Sequence, residues 1–159
     1  MRHRLNQERR NNGMQMSTGW TLELRTGSFH EPPRKLGIPQ GTYSHDTALS
    51  LHELSDIMPS KLHMTVPKEF RRNSRFPEIL VLHQAHLDTT DVQEMYGVRV
   101  TRPLRTIMDL LQSGQVDRSQ LKRAVDEAVR RGLVGRKEID RMPHDKLHGS
   151  LRELAGQHA

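Results

Sequence analysis

The chain has 159 residues, enough for one domain of ordinary size with a short appendage. It holds no cysteine, which excludes a disulfide framework, a zinc ribbon and a thiol nucleophile together, and only 4% of it is aromatic, too little for a base-stacking platform. Net charge is +6, unevenly spread: residues 1–38 carry seven Lys/Arg against three Asp/Glu, residues 39–117 eight against ten, and residues 118–141 eight against four. The basic excess therefore sits in an N-terminal arm and in one later segment, the two places that would attract a polyanion. No apolar run approaches the ~20 residues of a membrane span, and the basic start lacks the apolar stretch of a secretory signal. These features predict a soluble, cytoplasmic protein with no membrane partner.

Residues 1–38 predict a mostly irregular arm and linker. "RHRLNQERRNN" has almost nothing apolar to bury, Trp20, Leu22 and Leu24 alternate as one short strand, and "HEPPRKLGIPQG" is broken by proline and glycine. Residues 39–159 predict a single domain. Its first element is a helix over "SHDTALSLHEL", residues 44–54. Ser44 is the expected N-cap, its hydroxyl accepting a first-turn N–H; Asp46 suits the positive end of the dipole, and Pro59 is the stop. Ala48, Leu51 and Leu54 share one side; His45, Ala48, Leu49 and His52 line an overlapping one.

"KLHMTVP" alternates and predicts a half-buried strand, with Leu62, Met64 and Val66 on one face and Lys61, His63 and Thr65 on the other. "KEFRRNSRFPE" is an exposed basic loop. Four successive apolar residues, Ile79 to Leu82, predict a more central strand. "DVQEMYGVRVT" reads as two short strands around Tyr96 and Gly97. In the next helix Leu104, Ile107, Met108 and Leu111 form one stripe, with Thr101 as N-cap, Pro103 in the first turn and Gly114 at the end. Leu121, Ala124, Val125, Ala128 and Val129 make the following stripe, closed by Gly132. "GRKEIDRM" and "GSLRELAGQ" are short terminal helices. Because strands and helices are segregated, the expected fold class is α+β: a small mixed β-sheet with helices packed on one face and a helical C-terminal half.

The chemistry-bearing residues do not assemble into a recognisable catalytic set. His45 and His52 lie two helical turns apart, roughly 10 Å, too far to share a metal. His83 and His86, three apart on a strand, point to opposite faces. His144 and His148 are i, i+4 only in a helix, which Gly149 opposes. There is no acid–acid–lysine constellation of a metal-dependent nuclease, no G-x-S-x-G elbow and no glycine-rich phosphate loop. The expectation is a protein that is not an enzyme and takes no metal and no cofactor. Arg105 and Asp109 form an i, i+4 pair worth a few tenths of a kcal/mol if exposed; buried, it would tie its helix to the sheet.

Three ordered motifs carry a resemblance. Ser44, His45, Ala48, Leu51, His52 and Leu54 spell a Ser-His-x-x-Ala-x-x-Leu-His-x-Leu helix. His63 and Pro67 spell a His-x-x-x-Pro strand, and Arg105, Thr106, Asp109 and Leu110 an Arg-Thr-x-x-Asp-Leu helix. Over about residues 38–134 the chain resembles the C-terminal domain of the AbiEi-type antitoxins of type IV toxin–antitoxin systems. That resemblance implies a bacterial antitoxin paired with a nucleotidyltransferase-type toxin, either the toxin or its target being the partner. It also implies a family winged helix that represses the operon's own promoter. The 38 residues before the recognised region lack a core for such a domain, so a short member without it is expected. The motif residues read as structural.

Two other functions compete. A DNA-binding regulator would use the arm and the basic segment 118–137, with Lys122, Arg123, Arg130, Arg131, Arg136 and Lys137 as contacts to DNA or a partner. A diverged nuclease would rest on fold analogy alone.

Overall fold

The computed structural model describes residues 41–56, 58–71, 75, 77–143 and 145–156. The predicted arm at 1–38, its strand around Trp20, Leu22 and Leu24, and His144 lie outside the described residues. The observed class is α+β, a mixed five-stranded sheet accompanied by helices. Its strands are β1 (Thr42–Tyr43), β2 (Leu62–Val66), β3 (Leu80–Gln84), β4 (Val92–Met95) and β5 (Val98–Thr101). The helices are α1 (His45–Leu51), α2 (Pro103–Ser113), α3 (Arg118–Arg130), α4 (Arg136–Asp140) and α5 (Lys146–Leu154).

The strand order is β3-β2-β1-β5-β4. At the centre sits the shortest strand, β1, antiparallel to β2 (Tyr43 opposite Met64) and parallel to β5 (Tyr43 opposite Val100). β4 and β5 form a hairpin closed by Tyr96 and Gly97, both at positive φ (51° and 73°). Two such residues make the turn whose twist matches the strands it joins. β3 runs parallel to β2 in a five-residue register, Leu62 opposite Leu80 through Val66 opposite Gln84.

The run Ile79–Leu82 does not make a central strand. Among the described residues β3 is an edge, and Ile79 precedes it. An apolar run reports what covers the two faces of a strand. Whether its flanks are paired is a matter of backbone groups, which leave no trace in the side-chain pattern. β2 departs from its forecast in the opposite sense: Thr65 is as buried as Met64 and Val66, so both faces are covered.

The cover on the Thr65 face is α1. Thr47, in its first turn, accepts a hydrogen bond from the His63 backbone N–H (2.8 Å). His45, Thr47, Ala48, Leu49, Leu51 and His52 are all buried, a helix enclosed nearly all round. α1 is thus a middle layer between the sheet and the other helices. Above it one apolar cluster joins Leu49 and Leu54 to Ile107 and Leu110 of α2, Leu121, Ala124, Val125 and Ala128 of α3, Ile139 of α4, and Leu151 and Leu154 of α5.

Helix ends show which backbone solutions the sequence uses. α1 stops at Leu51, before Pro59 is reached. Leu54 N–H bonds to Leu49 O (3.0 Å) and Glu53 N–H to Ser50 O (2.9 Å), with Glu53 in the left-handed region at φ 55°. This is a Schellman end with glutamate where glycine is usual, sealed by the apolar pair Leu49 and Leu54. α3 ends by the same geometry with glycine in place: Gly132 at φ 70°, Leu133 N–H to Ala128 O (2.8 Å). Thr101 does not cap α2. It is paired opposite Val92 in β5, which leaves Arg102 at the cap and Pro103 at the first helical position. Gly149 does not break α5, which begins at Lys146 and is capped by the Asp145 carboxylate on the His148 N–H (2.8 Å).

Candidate functional site

The residues that spell the three motifs converge on the seam between α1, the sheet and α2. Ser44 does not cap α1 through its hydroxyl. That oxygen accepts a hydrogen bond from Thr65 Oγ1 (2.8 Å) and stands 3.0 Å from His45 Nδ1. With Thr65 donating to it, Ser44 has its own proton to give to His45 Nδ1. The hydroxyl is therefore taken by a buried chain Thr65, Ser44, His45 and is lost to the first-turn amides.

His45 itself adopts φ 51°, the left-handed region that a histidine enters only at a cost. The result is that its ring stacks on that of His83, centroids 3.7 Å apart and 14° from parallel. His83 lies on β3; on β2 next to it, His63 Nδ1 is 3.0 Å from His83 Nε2. His63 Nε2 in turn lies 3.9 Å from the Asp46 carboxylate. Three imidazoles from three elements thus form one cluster. Burial pushes the His45 imidazole down to about 3, reinforced by His83, His63 and Arg105 nearby. His63 and His83 are also held below the ordinary imidazole range by burial, with Asp46 pulling back on both.

At the far end of α1, His52 Nε2 is 2.7 Å from the Thr101 carbonyl. A carbonyl only accepts, so Nε2 carries the proton. Burial depresses this imidazole as well, opposed by that bond. The carbonyls of His52 and Glu53, just past the end of α1, receive Arg131 Nη1 at 2.9 and 3.3 Å. α1 is therefore tied to the sheet by a histidine at each end.

α2 contributes the third motif. Thr106 Oγ1 donates within reach of the Arg102 carbonyl (3.0 Å) and the Thr101 carbonyl (3.1 Å), and shares a 2.7 Å contact with Thr101 Oγ1. Arg105 Nε bonds Asp109 Oδ1 (2.8 Å) and its Nη1 reaches Asp91 Oδ2 (3.1 Å), just ahead of β4. The pair lies within α2, and it is the second contact of Arg105, to Asp91, that ties the helix to the start of β4. Asp109 is 7% exposed and its Oδ2 has no hydrogen-bond partner among the described residues. Burial raises its carboxyl while Arg105 lowers it. The α2 stripe is accordingly rotated from the forecast: Ile107 and Leu110 are fully buried beside polar Thr106 and Asp109, whereas Leu104, Met108 and Leu111 are half-buried.

The six basic candidates divide. Lys122 pairs with Asp126 (2.9 Å), Arg130 with Glu127 (2.6 Å), and Arg131 caps α1. Arg123, Arg136 and Lys137 are exposed and have no hydrogen-bond or ion-pair partner among the described residues. Sequence reasoning weighed His83 only against His86 and missed its meeting with His63 and His45. Among the described residues no group of three His, Asp or Glu side chains is arranged to hold a metal ion, and no helix is long and apolar enough to cross a membrane. The chain matches no family model and no curated protein.

Proposed function

We propose that the chain is a non-catalytic antitoxin of the AbiEi type, counteracting a nucleotidyltransferase-type toxin. The observation that supports this reading is the convergence of its three motifs. Ser44, His45, His52, His63, Arg105, Thr106 and Asp109 are far apart in the chain, and the contacts they make serve to join α1, the sheet and α2. A motif spent on holding a scaffold marks a fold, and leaves the outer surface to meet partners. The test is growth rescue. Cells expressing the toxin of the same operon should survive when this chain is co-expressed. Survival unchanged by the chain, with the protein shown to be folded, would reject the reading.

A second reading is DNA binding through the exposed cations Arg123, Arg136 and Lys137. Each phosphate neutralised contributes about −0.9 to the slope of log affinity against log salt. Three contacts therefore give a slope of about −3 in a salt titration, and a flat line rejects this reading. A nuclease is not proposed.

A further inference from the structure

The His63–His83 contact has the geometry of a shared proton. The nitrogens are 3.0 Å apart and the ring centroids 5.2 Å, a difference of nearly two ring radii. The two nitrogens therefore point at one another along one line, as in an N–H···N hydrogen bond. Lone pairs that served a metal would converge on a third point instead. Asp46 beside His63 Nε2 favours a proton there. In the neutral pair His63 Nδ1 then accepts from His83 Nε2–H. Adding one proton gives a cation with Nε2–H and Nδ1–H on His63, an accepting Nε2 on His83 and a proton moved to His83 Nδ1. The central bond survives, and the charge rests nearest the carboxylate. A second proton requires N–H on both facing nitrogens, and the bond cannot form.

The consequences fall on one edge of the sheet. Among the described residues β3 pairs only with β2, and on this face it is also held by the stack of His83 under His45. We propose that His45, His63 and His83 are a proton-operated latch, fastening edge strand β3 and the first turn of α1 to β2, closed with no proton or one and opened by the second. The charged groups facing it set the threshold. Asp46 on α1 favours the first proton; Lys61 ahead of β2 and Arg105 on α2 oppose further charge. Ser44 and Thr65, uncharged, hold His45 in its neutral form.

The test uses the full chain, isotopically labelled, with imidazole nitrogen shifts and amide hydrogen exchange followed together against pH. His63 and His83 should titrate in two separated, shared steps. Below the second step, protection at Val81 to Gln84 should fall about tenfold per pH unit for each proton bound on release. The β4–β5 hairpin should keep its protection over the same interval. Asp46→Asn, at a partly exposed position, should move the first step to lower pH and leave the fold intact. His83→Gln should make β3 protection independent of pH. Independent titration of the three histidines, an unmoved first step in Asp46→Asn, or loss of β3 and β4–β5 protection in parallel would each overturn the latch.

Discussion

Toward the helical layer, α1 offers Leu49 and, just past its end, Leu54, packed against Ile107, Leu110 and the aliphatic side of α3. Toward the sheet it offers His45, Thr47 and His52, each hydrogen-bonded to a partner on the sheet or to a residue that is. Both sides are buried, so both remove surface from water. They differ in what happens when a partner is lost. An apolar contact weakens in proportion to the area and cavity involved, whereas a buried polar group left alone keeps its full desolvation cost. The apolar side is tolerant of pH and graded in its response; the polar side depends on protonation state and on complete pairing.

The largest single loss should come from the apolar side. Ile107→Ala removes a fully buried side chain and should cost roughly 3–4 kcal/mol in urea unfolding, by the same amount at pH 8 and pH 6. Breaking the polar tie should cost somewhat less. Arg105→Ala strands the Asp109 carboxylate, and because Arg105 is a quarter exposed the penalty is about 2–3 kcal/mol, below that of a fully buried pair. The paired replacement Arg105→Met with Asp109→Leu should recover most of it. A double mutant as unstable as the single one would show that the charge was not the cause.

The histidines give the polar side its pH signature. Their folded-state values lie below those of the unfolded chain, so on acidification the unfolded state takes up protons first. The stability they allow is complete above about pH 6.5 and declines as pH falls through the window down to about 3 set by His45. Each histidine that stays neutral in the fold should contribute about 1.4 kcal/mol of loss per pH unit within its window. His45→Asn keeps a residue suited to φ 51° and removes one imidazole, so its urea midpoint should depend less steeply on pH. An unchanged slope would break the contrast between the two sides.

The smallest expected effect is a gain. Glu53→Gly relieves a left-handed glutamate at the end of α1 and should stabilise by roughly 0.5–1 kcal/mol after glycine's extra unfolded-state entropy. Gly132→Ala at the equivalent place on α3 should destabilise by a similar amount, since φ 70° is retained. Thermal midpoints moving in the same direction for both would contradict the assignment of these two helix ends.

The apolar side was legible in the sequence because periodicity encodes it. Leu121, Ala124, Val125 and Ala128 repeat with the helix and are buried as a stripe. Leu62, Met64 and Val66 alternate with the strand, and Tyr96 with Gly97 marks the hairpin turn. The histidine cluster was not legible. It requires the parallel register that sets Thr65 opposite His83, so that His63 and His83 share a face, and a left-handed backbone at His45; neither leaves a pattern in a single chain. The burial of Asp109 was hidden for a related reason. It depends on Asp91 and Asp109 meeting around Arg105, from elements on either side of β5.

The two-residue strand at the middle of the sheet has a consequence for how the molecule assembles and fails. β3 with β2, and β4 with β5, are each held by a continuous ladder, but among the described residues the two ladders are joined within the sheet only through Thr42 and Tyr43. The hairpin half closes over a two-residue turn, while β1 must find β5 across the whole of α1, β2, β3 and β4. Thr42 and Tyr43 are therefore the keystone dipeptide, the piece through which the two ladders become one sheet. Under mechanical load, the seams beside them are where the sheet would part.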